Sequence, residues 1–108
     1  MTPPNTKLIR VDLHNHTYYS PDSILSPRRF VREARRRGLD VAAVTDHNTI
    51  RGALTVRELS EQAVIIGEEI KSADGEILGL FLSDEVPKGL AARLTPWCRR
   101  ATRSICRR

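Results

Sequence analysis

The sequence predicts an α/β fold with parallel strands, and three observations carry the prediction. Short aliphatic or β-branched runs recur at Lys7 to Leu13, Val41 to Val44 and Ala63 to Ile66. Segments with apolar residues three and four apart lie between them, as helices require. A polar cluster follows each run: Asp12 to His16, Thr45 to Asn48, and Glu68-Glu69. Parallel strands in such a fold end on one edge of the sheet, so these clusters are expected to meet there.

The first strand is expected over Lys7 to Leu13, with Leu8, Ile9, Val11 and Leu13 as its apolar residues. Residues 15–26 read as loop, marked by Ser20-Pro21-Asp22-Ser23. Ser26-Pro27 supplies a helix N-cap followed by proline at the first helical position. Phe30, Val31 and Ala34 form the apolar stripe of that helix, and Gly38 suits its C-terminal end. Val41-Ala42-Ala43-Val44 has the continuous apolar character of a buried parallel strand. A second helix is expected from about Ile50 to Glu61, using Ala53, Leu54 and Leu59. After the buried strand Ala63 to Ile66, Glu69-Ile70-Lys71 and Glu76-Ile77-Leu78 flank Asp74-Gly75, a tight-turn dipeptide, so a β-hairpin is expected near 69–82.

The 108 residues suffice for one small domain, and the formal charge of +5 does not belong to it evenly. Lys88 to Arg108 holds seven basic residues and no acid, which leaves 11 basic against 13 acidic residues in 1–87. The charge of the domain therefore gives no support to a nucleic acid partner, although the tail leaves one open. Arg35-Arg36-Arg37 falls on the first helix, where a solvated face is the ordinary reading. No apolar run reaches membrane-spanning length and the N-terminus lacks a signal-peptide pattern, so a cytoplasmic location without a membrane partner is expected. Cys98 and Cys106 fit neither a zinc pair nor a disulfide framework.

The chain contains three histidines, His14, His16 and His47, and each stands at or just beyond a strand end with an aspartate nearby. Residues separated by one position in an extended segment point the same way, so His14 and His16 can face one ion together. Imidazole combined with carboxylate suits zinc, manganese or iron, and several carboxylates suit a multinuclear site. A lone strand-end histidine is commonly just a hydrogen-bonded surface residue. Three such histidines with acids at successive strand ends instead point to metal binding.

Asp12-Leu13-His14-Asn15-His16-Thr17, Ser20-Pro21-Asp22-Ser23, Thr45-Asp46-His47-Asn48 and Gly67-Glu68-Glu69-Ile70 resemble, in order and spacing, the motifs of the PHP (polymerase and histidinol phosphatase) superfamily. The likeness is to its stand-alone metal-dependent phosphoesterases and covers roughly residues 7–90. It implies a distorted (β/α)7 TIM-like barrel, of which this chain would hold the first three βα units, with two or three divalent ions (manganese, zinc or iron) at the carboxyl-end face. Carried over by position, His14 and His16 would bind one ion, Asp22 and His47 another, and Glu69 would bridge. Asp46 would orient a ligand from behind. Glu68 would either support a ligand similarly or stand solvated at the core edge. Where many members have histidine before an Ile-x-Gly-Leu segment, this chain has Glu76, either a further ligand or a hairpin residue facing water.

The implied chemistry is hydrolysis of a phosphate ester, the substrate being a small phosphorylated molecule or nucleotide. Clustered ions would lower the pKa of water and neutralise phosphoryl charge. Tyr18, Tyr19 and Ser20 could touch substrate or simply pack the loop. The alternative from another class is a non-catalytic metal- or nucleic-acid-binding module that uses the basic tail. The family pattern fails after Leu90, so residues 1–90 are expected to form the N-terminal part of a PHP domain. Residues 91–108 are expected to be a basic tail, out of frame or disordered. Such a truncated barrel would have an open edge, and little phosphoesterase activity is expected of it.

Overall fold

The computed structural model describes residues 6–72 and 75–86. The expected basic tail over 91–108, both cysteines, and Asp74 of the hairpin turn lie outside them. The elements run β1 (Val11–Asp12), α1 (Pro27–Arg36), β2 (Val41–Val44), α2 (Arg51–Leu59), β3 (Ala63–Ser72) and β4 (Gly75–Leu80). One curled, four-stranded sheet has the order β1-β2-β3-β4. Its first two pairings are parallel and the last antiparallel. The fold is therefore the α/β arrangement that the strand–helix alternation predicts, curled into the half-barrel that the family resemblance implies. Two βα units are complete, and the third strand turns back directly as a hairpin.

Local chemistry explains each helix end. Ser26 Oγ accepts the Arg29 N–H at 3.2 Å, and Pro27 opens α1 where no N–H is missed. At the other end Gly38 has φ +69°, which glycine adopts without steric cost. Its N–H reaches the Arg35 carbonyl while the Leu39 N–H reaches that of Ala34, closing a Schellman motif. The second helix is shorter than expected, stopping at Leu59 rather than Glu61. The Ser60 backbone becomes extended there, and its hydroxyl accepts the Gln62 N–H.

The first strand is a correction. Only Val11 and Asp12 pair, with Val41 and Ala42, instead of the whole run Lys7 to Leu13. β2 begins at Val41, so Lys7 to Ile9 have no neighbouring strand among the described residues, and Leu8 and Ile9 are exposed. Apolar, β-branched sequence is not enough to make a strand without a partner ladder. Arg10 is tied to the start of β2: its carbonyl accepts the Asp40 and Val41 N–H groups.

The long β3 changes partner midway. Ala63 to Ile66 pairs with β2, whereas Gly67 to Ser72 pairs with β4. A single parallel bridge, His47 to Glu69, keeps the loop after β2 alongside the second half of β3. Gly67 sits at the crossover, where a Cβ would lie 2.8 Å from both the Gly79 carbonyl oxygen and Thr45 Cγ2. Both helices cover one face of the sheet around Phe30, Ala34, Val44, Ala53, Val56 and Ile66. Val11, Leu13, Ile65, Leu80 and Phe81 line an open apolar hollow of about 740 Å³.

Candidate metal centre

The expected convergence is present. The first ligand-bearing loop runs beside β2: Asn15 donates its side-chain N–H to the Ala43 carbonyl, and the Thr45 N–H donates to the Asn15 carbonyl. Asn15 thus faces the sheet while His14 and His16, on either side of it, face the cluster, as the two-residue repeat requires. The His14 and His16 ring centres are 5.2 Å apart, and those of His16 and His47 are 4.5 Å apart.

One atom stands at the middle of the cluster. Glu69 Oε2 is 3.2 Å from His14 Nε2, 2.7 Å from His16 Nε2 and 3.5 Å from His47 Nε2. Asp22 closes the opposite side, 3.1 Å from His16 Nδ1 and 3.0 Å from His47 Nε2. Glu76 Oε1 lies 3.8 Å from His47 Nδ1. Three overlapping sets of donors result, each with its ligand atoms within 4.8 Å of one another: His14, His16 and Glu69; His16, Asp22 and His47; His47, Glu69 and Glu76. His16, His47 and Glu69 each belong to two of them.

The donor set fits divalent cations on more than proximity. His16 Nε2 is buried and closest of all to Glu69 Oε2, yet the contact lacks hydrogen-bond alignment and the nitrogen has no other hydrogen-bond partner among the described residues. A buried imidazole nitrogen left without a hydrogen bond beside a carboxylate oxygen is a pair of donors that a cation would satisfy. His16 also has Asp22 on its other ring nitrogen, the pairing that commonly orients a metal-bound imidazole. Glu76 is half-exposed and also within reach of the cluster, so the two readings of that position are compatible.

The carboxylates are electrostatically prepared. Burial pushes the Glu69 carboxyl up, but hydrogen bonds with His14 and Glu76 and the charges of His14 and His47 outweigh it, leaving it below its ordinary value. Desolvation likewise raises Asp22, while hydrogen bonds and charge from His16 and His47 bring it below the ordinary aspartate value. Both acids are therefore anionic at neutral pH, the state in which a carboxylate can ligate a cation.

Two expectations about supporting acids require correction. Asp46 is buried, but it does not hold an imidazole. Its Oδ1 accepts the Thr17 N–H at 2.5 Å and its Oδ2 accepts the Thr17 hydroxyl at 2.6 Å. Glu68 is fully buried rather than solvated, and lies outside the three donor sets. Successive residues of β3 face opposite ways, so Glu69 meets the histidines and Glu68 turns to the Val86 N–H, 3.0 Å away. Burial, partly countered by that N–H, raises the Glu68 carboxyl, and the nearby Glu85 adds to the rise.

The first loop divides between the two readings given for it. Ser20 is buried and accepts the His47 N–H at 2.7 Å, so it braces the centre and is not free for substrate. Tyr18 and Tyr19 are exposed, with ring centres 5.1 Å apart, and do not pack the loop interior. Thr17 and Gly52 were not legible as site residues. A glycine in a helical first turn was the one available signal.

Comparison with known proteins agrees with this geometry. Residues 12–96 match the PHP domain family. Two uncharacterised proteins of Methanocaldococcus jannaschii are similar. One is 42% identical over 100 residues, covering 81% of this chain and 58% of the relative. The other is 34% identical over 82 residues, covering 76% and 31%. Among solved structures, a proposed metal-dependent phosphoesterase from Bifidobacterium adolescentis superposes with TM-score 0.57 at 33% identity, covering 71% of this chain and 27% of that one. An amidohydrolase from Chromobacterium violaceum, solved with bound sulfate and no metal, gives TM-score 0.63 at 28% identity, covering 81% and 32%. This chain thus spans from under a third to just over half the length of these relatives. With an α/β half-barrel whose histidines and acids gather at one rim and a family match over residues 12–96, the chain belongs to the PHP domain family.

Proposed function

We propose that this chain carries a metal-ligand cluster of a metal-dependent phosphoesterase, acting on a phosphate monoester or nucleotide phosphate. The observation that carries the reading is Glu69 Oε2, faced by the Nε2 atoms of all three histidines within 3.5 Å. In this reading His14, His16, Asp22, His47 and Glu69 would hold the divalent ions, and Glu76 would be an additional donor from the hairpin. When bound, manganese, zinc or iron would supply Lewis acidity that makes water a better nucleophile and neutralises phosphoryl oxygens.

The residues of the chain have defined tasks in this scheme. The depressed Asp22 and Glu69 carboxyls remain charged and offset the cations. Asp22 also sets the ring orientation of His16, because one ring nitrogen faces the carboxylate and leaves the other for the ion. Neither a serine nor a cysteine is needed as nucleophile. The proposed phosphoesterase and the amidohydrolase among the similar solved structures support hydrolysis, and the choice of a phosphate ester follows the former.

Elemental analysis of the purified chain tests the proposal together with hydrolysis of p-nitrophenyl phosphate. Manganese, zinc or iron should accompany the wild-type chain and fall away in the His14→Ala, His16→Ala double variant, and any hydrolysis should stop with chelator. A folded wild-type chain that takes up none of these ions when they are supplied in excess would refute the reading.

A further inference from the structure

Two peptide links place a metal-facing histidine next to a buried polar residue: His16–Thr17 in the first loop and Asp46–His47 after β2. We infer that Thr17, Asp46 and Ser20 form a lock that sets the spacing of His16 and His47, and are positioning residues for metal binding. The functional part of this inference rests on the proposed metal centre, whereas the lock itself is a matter of geometry.

The lock has two bolts. Asp46 takes both donors of Thr17, at 2.5 Å from the backbone N–H and 2.6 Å from the hydroxyl. Ser20 Oγ takes the His47 N–H at 2.7 Å. Each bond spans nearly 30 positions in sequence, and each connects the two segments that bear His16 and His47. Thr17, Ser20 and Asp46 are all at most 1% exposed. Water cannot compete at that depth, so a carboxylate with two aligned donors holds its partner at a defined distance.

The surroundings are shaped to leave room for this arrangement. Gly52 occupies the first turn of α2, where glycine lowers helix propensity. A Cβ there would lie 2.0 Å from Asp46 Oδ2 and 2.4 Å from Thr17 Oγ1. Those are impossible distances, so a side chain at position 52 would have to displace the lock. A fold needing only stability could fill this spot with apolar groups of similar size. The buried polar bonds instead tie together the two segments whose imidazole centres must stand 4.5 Å apart.

The test compares Thr17→Val, which keeps the shape and removes the hydroxyl, with Thr17→Ser, which keeps the hydroxyl. Manganese or zinc affinity of the full chain would be read by calorimetric titration, and the His16–His47 ring contact by nuclear Overhauser effects in chelator-treated protein. Thr17→Val should weaken metal binding by about 10- to 100-fold, the usual loss when support behind a ligand is removed, while retaining its circular dichroism spectrum. Thr17→Ser should restore affinity, and the ring contact should weaken in Val and persist in Ser. Affinity within about twofold of wild type in a folded Thr17→Val protein, with the ring contact intact, overturns the lock. Absence of metal binding in the wild type would sink the metal centre instead, and the ring contact then decides the lock alone. Should Thr17→Val not fold, Ser20→Ala removes only the bond to the His47 N–H and is judged by the same two readouts.

Discussion

At the scale of single residues, the decisive contrast is between Glu68 and Glu69, neighbours with opposite surroundings. Glu69 sits among three imidazoles and titrates below its ordinary value, whereas Glu68 is sealed against the Val86 N–H and titrates above it. The sign of each effect on stability follows from linkage. Because its folded pKa is raised, Glu68 opposes folding as pH climbs from the unfolded carboxyl range through that raised value. Glu68→Gln should therefore melt higher than wild type at pH 7 in chelator, with the gap closing near pH 4, and thermal melts at both values check it. Asp22 and Glu69 act the other way. Their depressed values contribute stability that is present above the unfolded pKa and lost as pH falls through the folded one. Metal affinity should depend most on Glu69, since its Oε2 is shared by every imidazole. Glu69→Gln keeps the shape and removes the charge, and should lower zinc or manganese affinity by at least about tenfold in a competition assay.

Elements depend on caps and close approaches more than on propensity. Ser26 closes the first turn of α1, so Ser26→Ala should cost about 1 kcal/mol in urea denaturation. Gly67 marks where β3 leaves β2 for β4, with the Gly79 carbonyl and the Thr45 methyl both 2.8 Å from where a Cβ would stand. Gly67→Ala must push two strands apart and should cost about 1–3 kcal/mol, read by the same method. The helix caps, the β2 run and the hairpin are local features, and residues near in sequence sufficed to predict them. β1 was not local in that sense. Leu8 and Ile9 have the composition of a strand, yet only a neighbouring ladder makes one, and β2 begins too late to supply it.

Across the whole molecule, the helices cover one face of a curled sheet, while Val11, Leu13, Ile65, Leu80 and Phe81 leave the other face apolar and open. Among the described residues no helix is long and apolar enough to cross a membrane. The centre draws its donors from the loop after β1, the loop after β2, and both strands of the hairpin. An ion there cross-links most of the sheet. Metal should accordingly stabilise the fold by about 2.7 kcal/mol at one hundred times its dissociation constant. For a chain of this size that is a rise on the order of 10 °C in melting temperature, reversed by chelator. A melting temperature that does not respond to metal would mean that the ligands are not held by the fold.

What the sequence determined by itself is a set of candidate ligands and their address: which residues can ligate, that His14 and His16 share a side of an extended segment, and that the polar residues following β1, β2 and the Ala63 to Ile66 run meet at one rim. Those properties follow from residue type, short-range periodicity and topology, which are written locally. Only the tertiary structure decided that Glu68 is sealed against the Val86 N–H rather than solvated, that His16 belongs to two donor sets, and that Asp46 grips Thr17 instead of a histidine. These outcomes depend on register and on contacts between segments some 30 residues apart. A one-residue change of register would exchange the two glutamates, and no local pattern records which register the packed sheet adopts.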